Sequence, residues 1–161
     1  MKKTVYIETS VVSYLTARGS RDLIAAARQQ LTMEWWNNCR ARFELFSSPL
    51  VEKEASGGDQ EAADRRMNAL QGIPKLELGD EAIALAESLM KAGALPQNAR
   101  EDALHIAIAA VFRMDYLLTW NCRHIDNAQM KPVIRAVCHE QGFVCPEICT
   151  PEELGGAENG R

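Results

Sequence analysis

Short apolar runs along the chain alternate with longer stretches in which apolar residues recur every three or four positions. "TVYI" (4–7) reads as a buried strand and "SVVSYL" (10–15) as the first turns of a helix, so strand gives way to helix around Glu8. After the turn "TARGSR" (16–21), Ile24, Ala27, Leu31, Trp35 and Cys39 fall at helical spacing and predict a long amphipathic helix over 21–42. "FELFSS" (43–48) predicts a second strand. Pro49 suits the first helical position after Ser48, and Gly57-Gly58 suits the end of that short helix. Asp59 is placed to cap a helix to about Leu70. "KLEL" (75–78) reads as a strand, followed by a helix from about Glu81 to Ala92 that Gly93 closes.

In the second half, Asn98 and Glu101 resemble a capping box for a helix running to about Arg113. "DYLLTW" is a buried strand, "NCRHIDNAQM" a loop with a short helix, and "KPVIRAVCHEQG" a helix with Pro132 in its first turn. A last strand falls within 143–149 and a helix starts at Thr150-Pro151. Strands near 3–7, 43–47, 75–78, 116–119 and 143–149, separated by helices, predict a single three-layer α/β/α domain over 1–155. Its central sheet is mostly parallel with about five strands, and the Gly-rich residues 156–161 form a flexible C-terminal tail.

Composition narrows the class. The 161 residues are 47% hydrophobic and carry a net charge of −4, which removes the broad basic footprint of a duplex binder but not an enzyme meeting phosphates through bound metal. No apolar run approaches the roughly 18 residues that span a bilayer, and Lys2-Lys3 lead straight into a strand rather than a secretory leader. The expectation is a cytoplasmic protein with no membrane contact. Five cysteines (39, 122, 138, 145 and 149) contain no CxxC pair and suit reduced thiols. A zinc set of Cys122, His124, Cys145 and Cys149 matches no standard ligand spacing.

In an open parallel sheet ligands bind beyond the carboxyl ends of the strands, and Glu8 stands at such an end. Ile7 before it and Val11-Val12 after it predict a largely buried carboxylate, which is costly without a cation or hydrogen bonds. Glu52 and Glu54 follow the second strand, Asp102 lies in the first turn of its helix, and Asn121 and Asp126 follow "YLLT". Taken singly, the acids at helix starts are explained by the helix dipole, Glu101 fully so. His105 sits one turn above Asp102 on the same face; it reads as a packed helix histidine before a substrate contact or proton donor. Trp35 and Trp36 are candidate base-stacking platforms, but Trp35 fits the apolar stripe and reads as core or interface first, and the arginines at 18, 21, 28, 40 and 42 read as a solvated face. His124 and His139 carry no sequence signal of function. No GxGxxG, no P-loop and no hydrolase-triad order is present.

Together, "YIETSVVSYL", "SSPLVEKEASGGD", "REDALHIAIAA", "YLLTWNCRHIDNA" and "CTPEEL" resemble, in order and over nearly the whole chain, a PIN domain of the VapC-like branch. The resemblance implies a three-layer α/β nuclease that gathers about four acids around Mg²⁺ or Mn²⁺ to cleave single-stranded RNA. It places the catalytic and metal-holding set on Glu8, Glu54, Asp102 and Asn121, with Glu52 a lesser register for the second acid. Thr9, Ser10, His105, Thr119 and Asp126 are its auxiliaries. Two positions depart from the common pattern: Glu8 stands for an Asp, and Asn121 for the last Asp, keeping only a neutral carbonyl ligand. The implied role is the toxin of a type II toxin–antitoxin pair, with a small antitoxin protein as partner and homodimer formation. The alternative is a catalytically weak or inactive PIN-like nucleic-acid-binding or regulatory module.

Overall fold

The computed structural model describes residues 1–155; the tail expected over 156–161 lies outside them. Four parallel strands, β1 (Lys3–Ile7), β2 (Phe43–Phe46), β3 (Tyr116–Leu118) and β4 (Glu147–Cys149), form a sheet in the order β2-β1-β3-β4. Val5, Tyr6 and Ile7 are all fully buried although successive strand residues face opposite sides. Both faces of the sheet are therefore covered, as its parallel pairing requires. The helices are α1 (Thr9–Thr16), α2 (Leu23–Asn38), α3 (Pro49–Ala55), α4 (Gln60–Leu70), α5 (Asp80–Lys91), α6 (Arg100–Val111), α7 (Lys131–Glu140) and α8 (Pro151–Gly155). They pack in two groups: α1 against α2, α3 and α4, with α8 on α2, and α5 against α6 and α7.

The differences from the sequence reading have local causes. The strand expected at 75–78 is reduced to one parallel bridge, Ser47 with Lys75. Ser47 N–H donates to the Pro74 carbonyl and Leu76 N–H to the Ser47 carbonyl. Ser48 then turns away as the cap of α3, so residues beyond Leu76 have no neighbouring strand to join. The long helix stops at Asn38, and a 3₁₀ turn over Arg40–Arg42 leads into β2. No capping box forms at Asn98: α6 starts after Ala99, whose N–H closes a turn on Pro96. The segment 121–130 is a series of turns without a helix, and the last strand occupies only 147–149. Gly93 does close α5, at φ +70°. Among the described residues no helix is long and apolar enough to cross a membrane.

Candidate metal centre

The carboxyl ends of β1, β2 and β3 lie side by side, and each delivers polar side chains to one place. Glu8 leaves β1 with extended backbone (φ −80°, ψ 154°) and caps α1. Its N–H donates to the Leu118 carbonyl at 3.1 Å, which locks the junction to β3. Glu8 as a whole is only 5% exposed. Its carboxylate accepts from Ser10 N–H at 3.1 Å, from the Ser10 hydroxyl, and from the Thr119 hydroxyl at 2.6 Å. Three charge-assisted bonds of about 1.5–3 kcal/mol each offset a desolvation cost of several kcal/mol. Thr119 in turn accepts from Asn121 N–H at 2.9 Å.

Glu54 comes from the last turn of α3, started by Pro49 after the Ser48 cap. Glu52 points elsewhere and pairs with Lys75 at 2.6 Å. Glu54 Oε1 accepts from the Thr9 hydroxyl at 2.5 Å and lies 2.7 Å from His105 Nε2. Burial pushes the Glu54 carboxyl up, but the His105 hydrogen bond and charge, with Thr9 and Glu101 beside it, outweigh burial and draw it down to about 2. His105, fully buried on α6, also contacts the Tyr6 hydroxyl at 2.7 Å through Nδ1. Burial lowers the His105 pKa, and the Glu54 hydrogen bond with the charges of Glu8, Glu54 and Asp102 raises it further than burial depresses it. The ligand atoms of Glu8, Glu54 and His105 lie within 4.8 Å of one another.

The remaining expected residues are paired with other groups. Asp102 is 2.9 Å from His124 Nδ1 and lies outside the tight cluster, although its charge reaches His105. Asn121 Oδ1 accepts from His124 N–H at 3.0 Å, so its carbonyl oxygen caps its own loop. Asp126 is tied to Lys131 at 2.6 Å. Trp120, buried beside them, donates through its indole N–H to Thr32 and takes Arg28 over its ring.

Two neighbours of the site lacked a sequence signal. His124 holds Asp102 across 22 residues, which no local pattern announces. Glu101 stands beside Glu54 although the helix dipole alone accounts for an acid at its position. The five cysteines are free thiols.

No protein-family model matches the chain, and no curated protein matches it by sequence. Among solved structures it is similar to VapBC2 from Rickettsia felis, bound to a DNA fragment from its promoter, with 12% identity, TM-score 0.52, and 91% of this chain and 98% of that one covered. It is also similar to VapC20 of Mycobacterium tuberculosis, a sarcin-ricin loop cleaving toxin, with 14% identity, TM-score 0.56, and coverage of 87% and 96%. The chain has a VapC-like PIN fold.

Proposed function

We propose that this protein is a divalent-metal-dependent endoribonuclease that hydrolyses phosphodiester bonds in single-stranded RNA, as the toxin of a toxin–antitoxin pair. The observation that carries the reading is the convergence of Glu8 and Glu54 with His105 at the carboxyl end of the sheet, in a fold shared with VapC proteins. The donor set fits Mg²⁺ or Mn²⁺: hard carboxylate oxygens on separate elements, with further acids at 101 and 102 on the same helix start. Glu8 and Glu54 would hold the ion, with Asp102 beside them. When bound, such an ion acts as a Lewis acid on the phosphoryl group and lowers the pKa of a bound water. Ser10 and Thr119 fix the Glu8 carboxylate, and Thr9 and His105 fix that of Glu54.

The proposed partners are a single-stranded or structured RNA, VapC20 being a sarcin-ricin loop cleaving toxin, a small antitoxin protein, and a second copy of the chain in a homodimer. Leu23 (86% exposed) and Ile24 (67%) on α2 offer apolar surface to a protein partner. The proposed setting is the cytoplasm.

One observation favours the second reading, a PIN-like binding module without catalysis. Asn121 is neutral and turned into its loop, and Asp102 is engaged by His124, so among the described residues only two carboxylates converge closely. The test is cleavage of a mixed RNA pool, containing single strands and stem–loops, by purified partner-free protein with Mn²⁺, with Mg²⁺ and with chelator. Metal-dependent cutting that disappears in Asp102→Ala and Glu54→Gln supports the nuclease. A folded protein that cuts none of these RNAs with either metal moves the conclusion to the binding module.

A further inference from the structure

The polar chain behind Glu54 is buried more deeply than the carboxylate it reaches. Ser48 Oγ lies 2.8 Å from the Tyr6 hydroxyl, which lies 2.7 Å from His105 Nδ1, and His105 Nε2 lies 2.7 Å from Glu54 Oε1. Ser48, Tyr6 and His105 are all fully buried. An ionised carboxylate only accepts, so Nε2 must carry the hydrogen that faces Glu54. At the other end of the chain Val51 N–H donates to Ser48 Oγ at 3.2 Å, which holds the Ser48 oxygen in place. Whichever way the two hydroxyl hydrogens turn, His105 remains a donor to Glu54.

The path begins and ends on α3. Ser48 caps that helix and Glu54 closes it, while Tyr6 comes from β1 and His105 from α6. The chain therefore ties the only α3 carboxylate facing the cluster to both neighbouring elements. A leucine at 105 would satisfy burial without exposing the core to an imidazole, so packing alone does not account for a histidine there.

We propose that His105 is a positioning residue for the metal centre: through Nε2, braced by Tyr6 and Ser48, it sets the Glu54 carboxylate beside Glu8 for the cation. This rests on the metal-nuclease reading above. The test is Mn²⁺ uptake by the full chain at one fixed pH, measured calorimetrically, for wild type, His105→Leu, His105→Gln and Tyr6→Phe. Removing a partner that orients a metal ligand costs roughly 10–100-fold in affinity. His105→Leu is expected to lose that much, His105→Gln to recover most of it through its amide N–H, and Tyr6→Phe to fall between.

A readout that packing would not move is the His105 Nε2 proton in ¹H–¹⁵N spectra. It is expected to exchange slowly and to shift when diamagnetic Mg²⁺ is added. Folded His105→Leu, or Tyr6→Phe if the leucine variant unfolds, with wild-type Mn²⁺ affinity would overturn the positioning role while leaving the nuclease reading intact. Wild-type protein that takes up no Mn²⁺ overturns both.

Discussion

Thr119→Val isolates the bond that makes a buried carboxylate tolerable. The two side chains have nearly the same shape, so the change removes a hydroxyl and leaves the packing in place. Thr119 is fully buried; its hydroxyl donates to Glu8 Oε1 at 2.6 Å and accepts from Asn121 N–H at 2.9 Å. Losing a hydrogen bond to a charged group costs about 1.5–3 kcal/mol, and stranding the Asn121 N–H adds about 1–3 kcal/mol if no water reaches it. These losses share one atom and do not add fully, so about 3 kcal/mol is the expected destabilisation. With a urea dependence near 2 kcal/mol/M, the unfolding midpoint should fall by about 1.5 M. The assay is urea unfolding followed by far-UV circular dichroism, with chelator present to keep metal out of the balance. Thr119→Ser keeps the hydroxyl and should cost only about 1 kcal/mol, from the lost methyl. A Val variant as stable as the Ser variant would refute the claim that Thr119 sustains the buried charge.

Three further outcomes follow from the same geometry. Metal-free stability should be greatest between about pH 4.5 and 6.5. Glu54 is drawn from 4.5 to about 2, so its stabilisation holds above pH 4.5 and fades as pH falls towards 2. His105 is raised above 6.5, so its share is complete below that value and is lost as pH rises through its folded pKa. Because Glu54 is partly solvated, the acid limb is expected to be about 1–2 kcal/mol, and Glu54→Gln should flatten it in chelator. Glu52→Ala should change stability by less than about 1 kcal/mol and leave Mn²⁺ uptake untouched, since its Lys75 pair is partly exposed; a large loss of uptake would mean that the second acid is Glu52. Ile7→Ala, at a fully buried position on the central strand, should cost about 2–5 kcal/mol in the same urea assay.

Elements announced by local patterns were legible in the sequence. The β1–Glu8–α1 junction follows from an apolar run meeting a helical repeat, and the α3 start from Ser48-Pro49. Glu54 and Glu52 lie two residues apart on one helix and so face different ways, but which of them faces inward depends on β1 and α6. KLEL carries strand alternation, yet a strand exists only where a neighbour offers its backbone, and β2 has already ended at Ser47. Asn121 shows the same limit: its identity is plain, but only the turn that follows decides that its oxygen caps His124 N–H. The pairings that define the site join positions 51, 99 and 111 residues apart, and single-sequence periodicity does not report on such distances.

The strand order carries a consequence for synthesis. β1 is made first and lies in the middle of the sheet, flanked by β2 and by β3, which is completed only at Leu118. Until then Glu8 has neither the Leu118 carbonyl nor the Thr119 hydroxyl, and β3 itself waits for β4 at Glu147–Cys149. At about 5–20 residues per second, the nascent chain spends most of its elongation without a finished centre. An interrupted translation product ending before Thr119 therefore has both converging carboxylates in its sequence and no frame to hold Glu8 in place. Topology alone therefore keeps such a fragment from assembling the Glu8–Glu54 cluster.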